Sequence, residues 1–506
     1  MIKTSSQLFN LLVLSALVSL PAAGETSPAG ARPTTESLTL ESALRTALTH
    51  DPEIEIAASG VRSAEGVLLS ASSEFDNTLT ATFDGSDVRT PVNEIESTSA
   101  QNFKQTAGWS RKMRSGRTYS SSVELNQPEI DPSASTATVS FSLTQPLWQG
   151  RSREVTQSEE TAARLEAEAA AYDALHRARE RLSAVADRYW IARAAQLDLD
   201  ILRDTEQRSR ELLETTRRLV AADVTPAADL IQLEADLTFR ETNRLDGERV
   251  LYEALHSLAG AMGLAAEETA TLGLPSDEFP KLEVADIPES DRFLLAEAWA
   301  RRADLQGTEK RLQAAQARLD AAEDALKPTL DLLVTPSYTG WTEGRGLDSA
   351  QALVDNVPGL SAALTLSYSR PLENRAAEGA LIVDQERTRQ LELSLESQRI
   401  DIGASVRATL SSVRIQAERL AALERAVSLF AKASENEEKK LRAGSSTLID
   451  VLNQRDRLTT AQQRWVAAEA ALARALVQLR FDVGWIAERQ ADGGLSFDVS
   501  ELTSLP

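Results

Sequence analysis

The sequence predicts a mixed α and β membrane protein in which one set of secondary-structure elements occurs twice. Three observations support this fold class. The chain begins with a secretory segment, so the mature protein is expected outside the cytoplasm. Runs in which apolar and polar residues alternate precede much longer runs of strong helix formers. The same order of segments then returns after roughly 220 residues.

Composition excludes several classes of function. The 506 residues carry a formal net charge of -22, which would repel the phosphates of a nucleic acid. The chain contains no cysteine, so it can form neither a disulfide nor a cysteine-ligated metal site. Its three histidines, His50, His176 and His256, are far apart and lack a second ligand at a metal-binding spacing. No glycine-rich phosphate loop is present, and we therefore expect no enzyme active site, metal or cofactor.

Residues 1–24 have the pattern of a signal peptide. Lys3 supplies a positive charge, an apolar core runs from Leu8 to Leu20, and the small residues that follow suit cleavage before Glu25. An uncleaved anchor is the alternative interpretation. Residues 25–37 are rich in Pro, Ser, Thr and Gly, which predicts a flexible leader. No later apolar run approaches the roughly 20 residues of a membrane helix, so any span of the membrane is expected to be a β-barrel.

The first repeat spans residues 38–263. Apolar residues follow a helical spacing from Leu38 to Ser73. A period of two then predicts strands at 77–88, 103–113, 118–126 and around 139–143. From Ser152 to about Val220 the chain lacks proline and glycine, which predicts a helix of roughly 100 Å. A hairpin tip at 219–230 leads into the second long helix of this repeat.

The second repeat spans residues 291–486, with its hairpin tip at 441–453. The two tips superimpose at a shift of 221 residues, which places Asp229 on Asp450. The segments outside the repeats are a proline-containing connector at 264–290 and a polar tail at 487–506. Each repeat thus contains one helix, one pair of strands that has a counterpart in the other repeat, and one long helical hairpin.

The predicted strands have an apolar face and a Ser/Thr face, as in a transmembrane barrel with lipid outside and water inside. A soluble sheet with one buried face would show the same alternation and is the alternative. The aromatic residues expected at the membrane interfaces are Trp148, Tyr338, Trp341 and Tyr368. One pair of strands per repeat gives four per chain, fewer than the roughly eight of the smallest barrels, so several chains must combine.

The hairpin at 103–126 has no counterpart in the second repeat. It could extend the barrel outside the cell, fold into its mouth or add strands to it. Of these three arrangements, we expect an extracellular extension.

Several short motifs resemble the TolC family of outer-membrane channel proteins. The matching segments are Leu38–Leu44 (LTLESAL), Gln145–Leu147 (QPL), Leu326–Leu330 (LKPTL), Arg370–Leu372 (RPL) and Gly444–Leu452 (GSSTLIDVL). The resemblance implies a homotrimer with a twelve-stranded barrel in the outer membrane and a long α-helical barrel across the periplasm. It also implies a passive channel, not an enzyme, that joins a periplasmic adaptor protein and an inner-membrane transporter. Its surroundings would include outer-membrane lipid but no nucleic acid.

In this resemblance the two hairpin tips form the periplasmic gate and the surface on which the adaptor docks. The residues assigned to the tips are Gly444, Ser445, Ser446, Asp450, Asn453, Asp223 and Asp229. Relatives carry an aspartate at the position of Asn453, an arginine at that of Ser446 and a glycine at that of Asp223, so the closing network is expected to be only partly present. A ring of three Asp450 carboxylates would attract cations. The alternative is that Asp450 only stabilises the first turn of its own helix.

Efflux through a tripartite pump is the function that we expect from this resemblance. The outer-membrane component of a type I protein secretion system is the alternative. An exported coiled-coil structural protein is a more distant one, because it would not require duplicated amphipathic strands bounded by aromatic residues. An exported enzyme or binding protein should show a cluster of polar residues, and the sequence contains none.

Overall fold

The structure of the chain, a computed structural model, describes residues 37–91, 97–128, 135–222, 227–265, 267–343, 350, 352–355, 359–443, 445–489, 495–498 and 504–505. The predicted signal peptide and the leader up to residue 36 lie outside these ranges. Two residues assigned to the tips, Gly444 and Asp223, lie outside them as well.

Long helices and one main sheet make up the fold. The helices of the first half are α1 (Leu40–His50), α2 (Pro52–Ser72), α3 (Arg153–Thr156), α4 (Ser158–Ala221) and α5 (Ala228–Ala261). Those of the second half are α6 (Arg292–Arg301), α7 (Ala303–Ala325), α8 (Ala352–Asp355), α9 (Arg375–Arg442) and α10 (Leu448–Val483). The strands of the main sheet are β1 (Thr78–Pro91), β2 (Ser97–Lys112), β3 (Thr118–Pro128), β4 (Ser135–Pro146), β5 (Thr329–Thr342) and β6 (Gly359–Ser369). A small separate pair is β7 (Glu488–Arg489) with β8 (Leu495–Ser496).

The boundary between α1 and α2 lies at Asp51-Pro52, because both residues favour the start of a new helix. The carboxylate of Asp51 accepts a hydrogen bond from the backbone N–H of Glu53 at 2.9 Å. Its second oxygen accepts from Arg181 of α4 at 2.5 Å. Asp51 therefore caps α2 and attaches it to the longest helix of the first half.

Helix α4 organises the first half of the chain. It contains 64 residues, which corresponds to about 96 Å, and it packs against α2, α5, α7 and α10. A Cβ atom at Gly247 of α5 would lie 2.8 Å from the side chain of Leu202 and 3.3 Å from that of Leu199. The glycine therefore lets α4 and α5 approach closely.

The hydrophobic core lies midway along the helices, where shorter segments cover them. One cluster surrounds Tyr189 and Trp190 of α4 and includes residues of α1, α5 and α10. Phe279 of the connector belongs to this cluster, and Phe497 of the tail packs against it. A second cluster joins α6, α9 and α10. In addition, Arg480 of α10 donates to the backbone carbonyl of Leu505 at 2.9 Å.

The main sheet contains six antiparallel strands in the order β1-β2-β3-β4-β5-β6. β4 and β5 join the two halves of the chain. β2 and β3, which form the hairpin that we expected outside the cell, lie between β1 and β4 and pair with both. The expectation of four strands per chain, with this hairpin as an extension, is therefore wrong. The hairpin adds two strands to the sheet, because its alternation of apolar and polar residues continues that of its neighbours.

Within the described ranges, none of the helices is both long enough and apolar enough to cross a membrane.

Candidate functional site

The turn between α9 and α10 forms the tip of the second helical hairpin. Lys439, Lys440 and Arg442 lie in the last turn of α9, where positive charge interacts favourably with the helix dipole. The backbone N–H and the hydroxyl of Ser445 both donate to the carbonyl oxygen of Lys440, at 2.9 and 3.2 Å. The turn is thus held by local hydrogen bonds, while Ser445 itself is exposed.

Asp450 lies in the first turn of α10 and forms a capping box with Thr447. The Thr447 hydroxyl donates to Asp450 Oδ2 at 2.6 Å, and the backbone N–H of Asp450 donates to Thr447 Oγ1 at 3.3 Å. Hydrogen bonds from Thr447 lower the pKa of the Asp450 carboxyl below its ordinary value. The side chain is exposed, so one carboxylate both caps α10 and presents negative charge at the tip.

Ser446 links the tip to α9. Its hydroxyl donates to Glu437 Oε1, and Lys440 Nζ lies 3.0 Å from the other carboxylate oxygen of Glu437. Hydrogen bonds from Ser446 and then from Lys440 lower the pKa of Glu437. Arg455 of α10 also pairs with Glu438 of α9 at 2.7 Å. These contacts connect the two helices of one hairpin.

The tip of the first hairpin lies between the end of α4 and the start of α5. Asp229 lies in the first turn of α5, as Asp450 lies in the first turn of α10. Across the hairpin, Arg217 of α4 pairs with Glu234 of α5 at 3.1 Å. Asn453 lies on the exposed surface of α10. Asp229 and Asp450 thus occupy equivalent positions, each in the first turn of the second helix of its hairpin.

A buried ionic cluster that joins the two hairpins was not predicted from the sequence. Arg240 of α5 lies 2.9 Å from Asp236 on its own helix and also contacts Asp456 of α10. Ser209 of α4 donates to the second oxygen of Asp236 at 2.7 Å. The side chain of Arg240 is only 10% exposed. The four-residue spacing of Asp236 and Arg240 is a signal in the sequence, but it does not reveal burial against α10.

The two faces of the sheet differ in polarity. Large exposed apolar side chains of one face are Leu79, Phe83, Phe103, Trp109, Val123, Phe141, Leu360, Leu364, Leu366 and Tyr368. Hydroxyl side chains on the other face hydrogen-bond across the strands. Examples are Ser122 with Ser140 at 2.8 Å and Thr138 with Thr339 at 3.1 Å. This division is the one expected of a sheet between lipid and water.

The aromatic residues predicted at the membrane interfaces lie near the two ends of the sheet. Trp148 and Tyr368 lie at the end that joins the helices, with ring centroids 6.0 Å apart in an edge-on contact. Tyr338 and Trp341 lie towards the other end of β5. Because successive side chains of a strand alternate, Tyr338 belongs to the apolar face and Trp341 to the polar face.

For the residues that the structure describes, no three His, Cys, Asp or Glu side chains are grouped as a metal-ion site.

The second half of the chain matches a family model described as outer membrane efflux protein, over residues 294–484. No curated protein matches the chain significantly. Among solved structures, the chain is similar to VceC of Vibrio cholerae, with 17% identity over 88% of this chain and 96% of that chain and a TM-score of 0.64. It is similar to CmeC of Campylobacter jejuni at 14% identity over 93% and 94%, with a TM-score of 0.65. It is also similar to the open state of MtrE of Neisseria gonorrhoeae at 17% identity over 88% of each chain, with a TM-score of 0.61.

At these identities the likeness to solved structures shows a shared fold. The family match adds a relationship in sequence, and it covers the second of the two hairpins. Together they confirm the resemblance to TolC-like outer-membrane channels that the short motifs indicated. The chain therefore has the fold of TolC-like outer-membrane channels, and its residues 294–484 match the model of the outer membrane efflux protein family.

Proposed function

We propose that three copies of this chain form the exit duct of a tripartite efflux pump. The duct conducts solutes passively from a periplasmic adaptor and an inner-membrane transporter to the outside of the cell. The observation that carries this proposal is a single sheet with an apolar face and a hydroxyl-rich face, continued by helices of about 100 Å.

The edges of the sheet support assembly from several copies. β1 and β6 are the outermost strands, and every residue of β6 is exposed. A free edge presents unpaired backbone groups, which must be satisfied where a membrane excludes water. Six strands are too few for a closed barrel, since about eight are needed. Pairing β6 of one copy with β1 of the next satisfies both edges.

The hairpin tips supply the periplasmic gate and the adaptor-docking surface. The residues that we assign to this role are Gly444, Ser445, Ser446, Asp450, Asn453, Asp223 and Asp229. The exposed carboxylate of Asp450, with its lowered pKa, supports a ring of negative charge around the entrance of a trimer. Trp148, Tyr338 and Tyr368 serve as interface aromatics on the apolar side of the sheet, and Trp341 lies at the outer rim of the polar side.

Crosslinking from the tip tests this function. The chain lacks cysteine, so Ser445→Cys carries a single attachment point for a photoreactive maleimide in intact cells. Ser394→Cys is the matched control, since it is an exposed serine on the same helix but far from the tip. We expect Ser445→Cys to capture an adaptor protein, identified by mass spectrometry, and Ser394→Cys to capture none.

The inner-membrane protein that is captured together with the adaptor distinguishes the two transport systems. A drug transporter supports efflux, whereas an ATP-driven protein exporter would replace efflux with type I secretion. Recovery of the chain as a soluble monomer, with none in the outer-membrane fraction, would overturn the channel function itself.

A further inference from the structure

We propose that the hairpin β2–β3 crosses the outer membrane as part of the channel wall. Each copy then contributes six strands, and three copies enclose an eighteen-stranded barrel in place of the twelve that the sequence suggested. This inference rests on the proposed function, because it assumes that the sheet forms a trimeric barrel. It adds a property of the cargo: the exit admits solutes bulkier than a twelve-stranded barrel would pass.

The first argument is the position of the hairpin inside the sheet. β2 pairs with β1 from Ser110 opposite Thr78 to Ser97 opposite Pro91. β3 pairs with β4 from Thr118 opposite Thr144 to Asn126 opposite Thr136. The hairpin therefore separates β1 from β4. A membrane wall that left it out would have to break both ladders, and the exposed backbone groups would be costly in lipid.

The second argument is the continuity of the apolar face. Side chains opposite one another in a ladder lie on the same face of a sheet. Trp109 of β2 pairs with Leu79 of β1. Val123 of β3 pairs with Ala107 of β2 and with Val139 of β4. The apolar face of the neighbouring strands thus continues across the hairpin through Trp109, Ala107 and Val123, with Gln105 and Ser121 between them.

The third argument is the polarity of the opposite face. Lys104 of β2 and Glu124 of β3 form an ion pair with 2.9 Å between Nζ and Oε2. Both side chains lie on the face that carries the hydroxyl groups, since Lys104 pairs with Asp84 and Glu124 with Thr138. Charged side chains are costly in lipid and are accepted in the lumen of a barrel. The hairpin is therefore built with one face for lipid and one for water.

The fourth argument is the location of the turn between β2 and β3. Arg114, in this turn, donates to Glu160 of α4 at 2.8 Å through Nε. Beside it, Lys112 pairs with Glu74 at the end of the segment that precedes β1. A Cβ atom at Gly116 would collide with the carbonyl oxygen of Gly150, at the start of the helical part. The turn is therefore fastened to the helices, and the two strands run from there across the full height of the sheet.

The widths of the helical and strand sections agree with this wall. Four helices of each copy lie side by side at the sheet, in the order α2, α4, α7 and α9. With axes about 9.5 Å apart they occupy an arc of roughly 38 Å. Strands about 4.8 Å apart and tilted by about 40° each occupy roughly 6.3 Å of a barrel's circumference, so six strands span about 38 Å and four only about 25 Å. With six strands per copy, the circumference of the β-barrel therefore equals that of the helical barrel.

Single cysteines on adjacent residues test which face of the hairpin meets lipid. Val123→Cys lies on the apolar face of β3 and Ser122→Cys on its polar face. Their matched controls on β4 are Val139→Cys and Ser140→Cys, which lie directly opposite. We expect a hydrophilic maleimide to label the two serine variants of reconstituted trimers at least tenfold faster than the two valine variants.

The labelling results distinguish failure of the six-stranded wall from failure of the proposed channel function. Rapid labelling of Val123→Cys with protection of Val139→Cys would overturn the six-stranded wall and leave the channel function intact. Rapid labelling of both valine variants would overturn the membrane barrel, and the proposed function with it.

Deletion of residues 97–128 provides a second measurement. β1 is antiparallel to β2, β2 to β3 and β3 to β4, so β1 and β4 run in opposite directions and can pair with each other after the deletion. Barrel diameter grows roughly linearly with strand number, so the largest neutral polymer that enters the channel from the barrel side should shrink in radius by about one third. An unchanged size limit in channels that still conduct would overturn the proposal. If the deletion variant does not assemble, the cysteine labelling decides.

Discussion

Replacing Arg240 with methionine tests whether the buried cluster holds the two hairpins together. Arg240 contacts Asp236 within α5 and Asp456 of α10, and only 10% of its side chain is exposed. Arg249, on the same helix, pairs with Glu253 at 2.7 Å, but 58% of its side chain is exposed. The two arginines therefore make similar ion pairs in different surroundings, and Arg249→Met is the matched control.

The expected loss for Arg240→Met follows from what the substitution leaves behind. Asp236 is 14% exposed and would keep only the hydrogen bond from Ser209, whereas Asp456 is 52% exposed and can be solvated. Breaking a buried pair by removing one partner costs about 3 kcal/mol at the lower end of measured values, and Asp236 accounts for most of this loss. For Arg249→Met we expect no measurable change, because water already screens its ion pair.

Hydrogen exchange of the backbone amides of α5 measures the difference locally. A loss of about 3 kcal/mol in local opening free energy accelerates exchange by about a hundredfold around residue 240. The variant Asp456→Asn should show a much smaller acceleration, because Arg240 still pairs with Asp236 in that variant. Equal exchange rates in Arg240→Met and Arg249→Met would refute the assignment of a stabilising role to the buried cluster.

Three further predictions follow from single residues. Burial raises the pKa of Glu469 to about 7, so the folded state disfavours the charged form of this side chain. The free energy of unfolding therefore falls as the pH rises from about 4.5 to about 7. Glu469→Gln should raise the melting temperature at pH 8 but not at pH 4. Asp450→Ala should reduce the cation preference of reconstituted channels, and Asn453→Asp should increase it, because each change alters the carboxylates at the tip. Gly116→Ala should severely reduce the yield of assembled oligomer, because the φ of 82° and the nearby carbonyl oxygen of Gly150 leave no room for a side chain. Gly150 has a φ of 70° but open space around it, so Gly150→Ala should lower the free energy of unfolding by only about 1 kcal/mol.

Each of these expectations has a result that contradicts it. Equal stabilisation by Glu469→Gln at both pH values would mean that packing, not ionisation, is responsible. Unchanged selectivity in both tip variants would remove Asp450 and Asn453 from the ion path. Equal yields for the two glycine variants would show that the turn adapts to a side chain.

Local features of the sequence were sufficient to predict most of the helices and strands. The absence of proline and glycine over 152–220 predicted the helix that the structure places at Ser158–Ala221. The alternative interpretation of Asp450 placed it in the first turn of its own helix, and it lies in the first turn of α10. These predictions succeed because propensity, capping and periodicity depend on residues that are neighbours along the chain.

The tertiary structure decided the features that depend on distant partners. Alternation showed that residues 103–126 form strands, but it could not show that these strands insert between β1 and β4, because strand pairing is set by non-local contacts. The four-residue spacing of Asp236 and Arg240 permits a pair within α5, but only helix packing brings Asp456 to them and removes Arg240 from water. The sequence by itself therefore determined the kinds and order of the elements. The tertiary structure determined the number of strands in the sheet and the cluster that joins the two hairpins, because both arise from contacts between segments far apart in the chain.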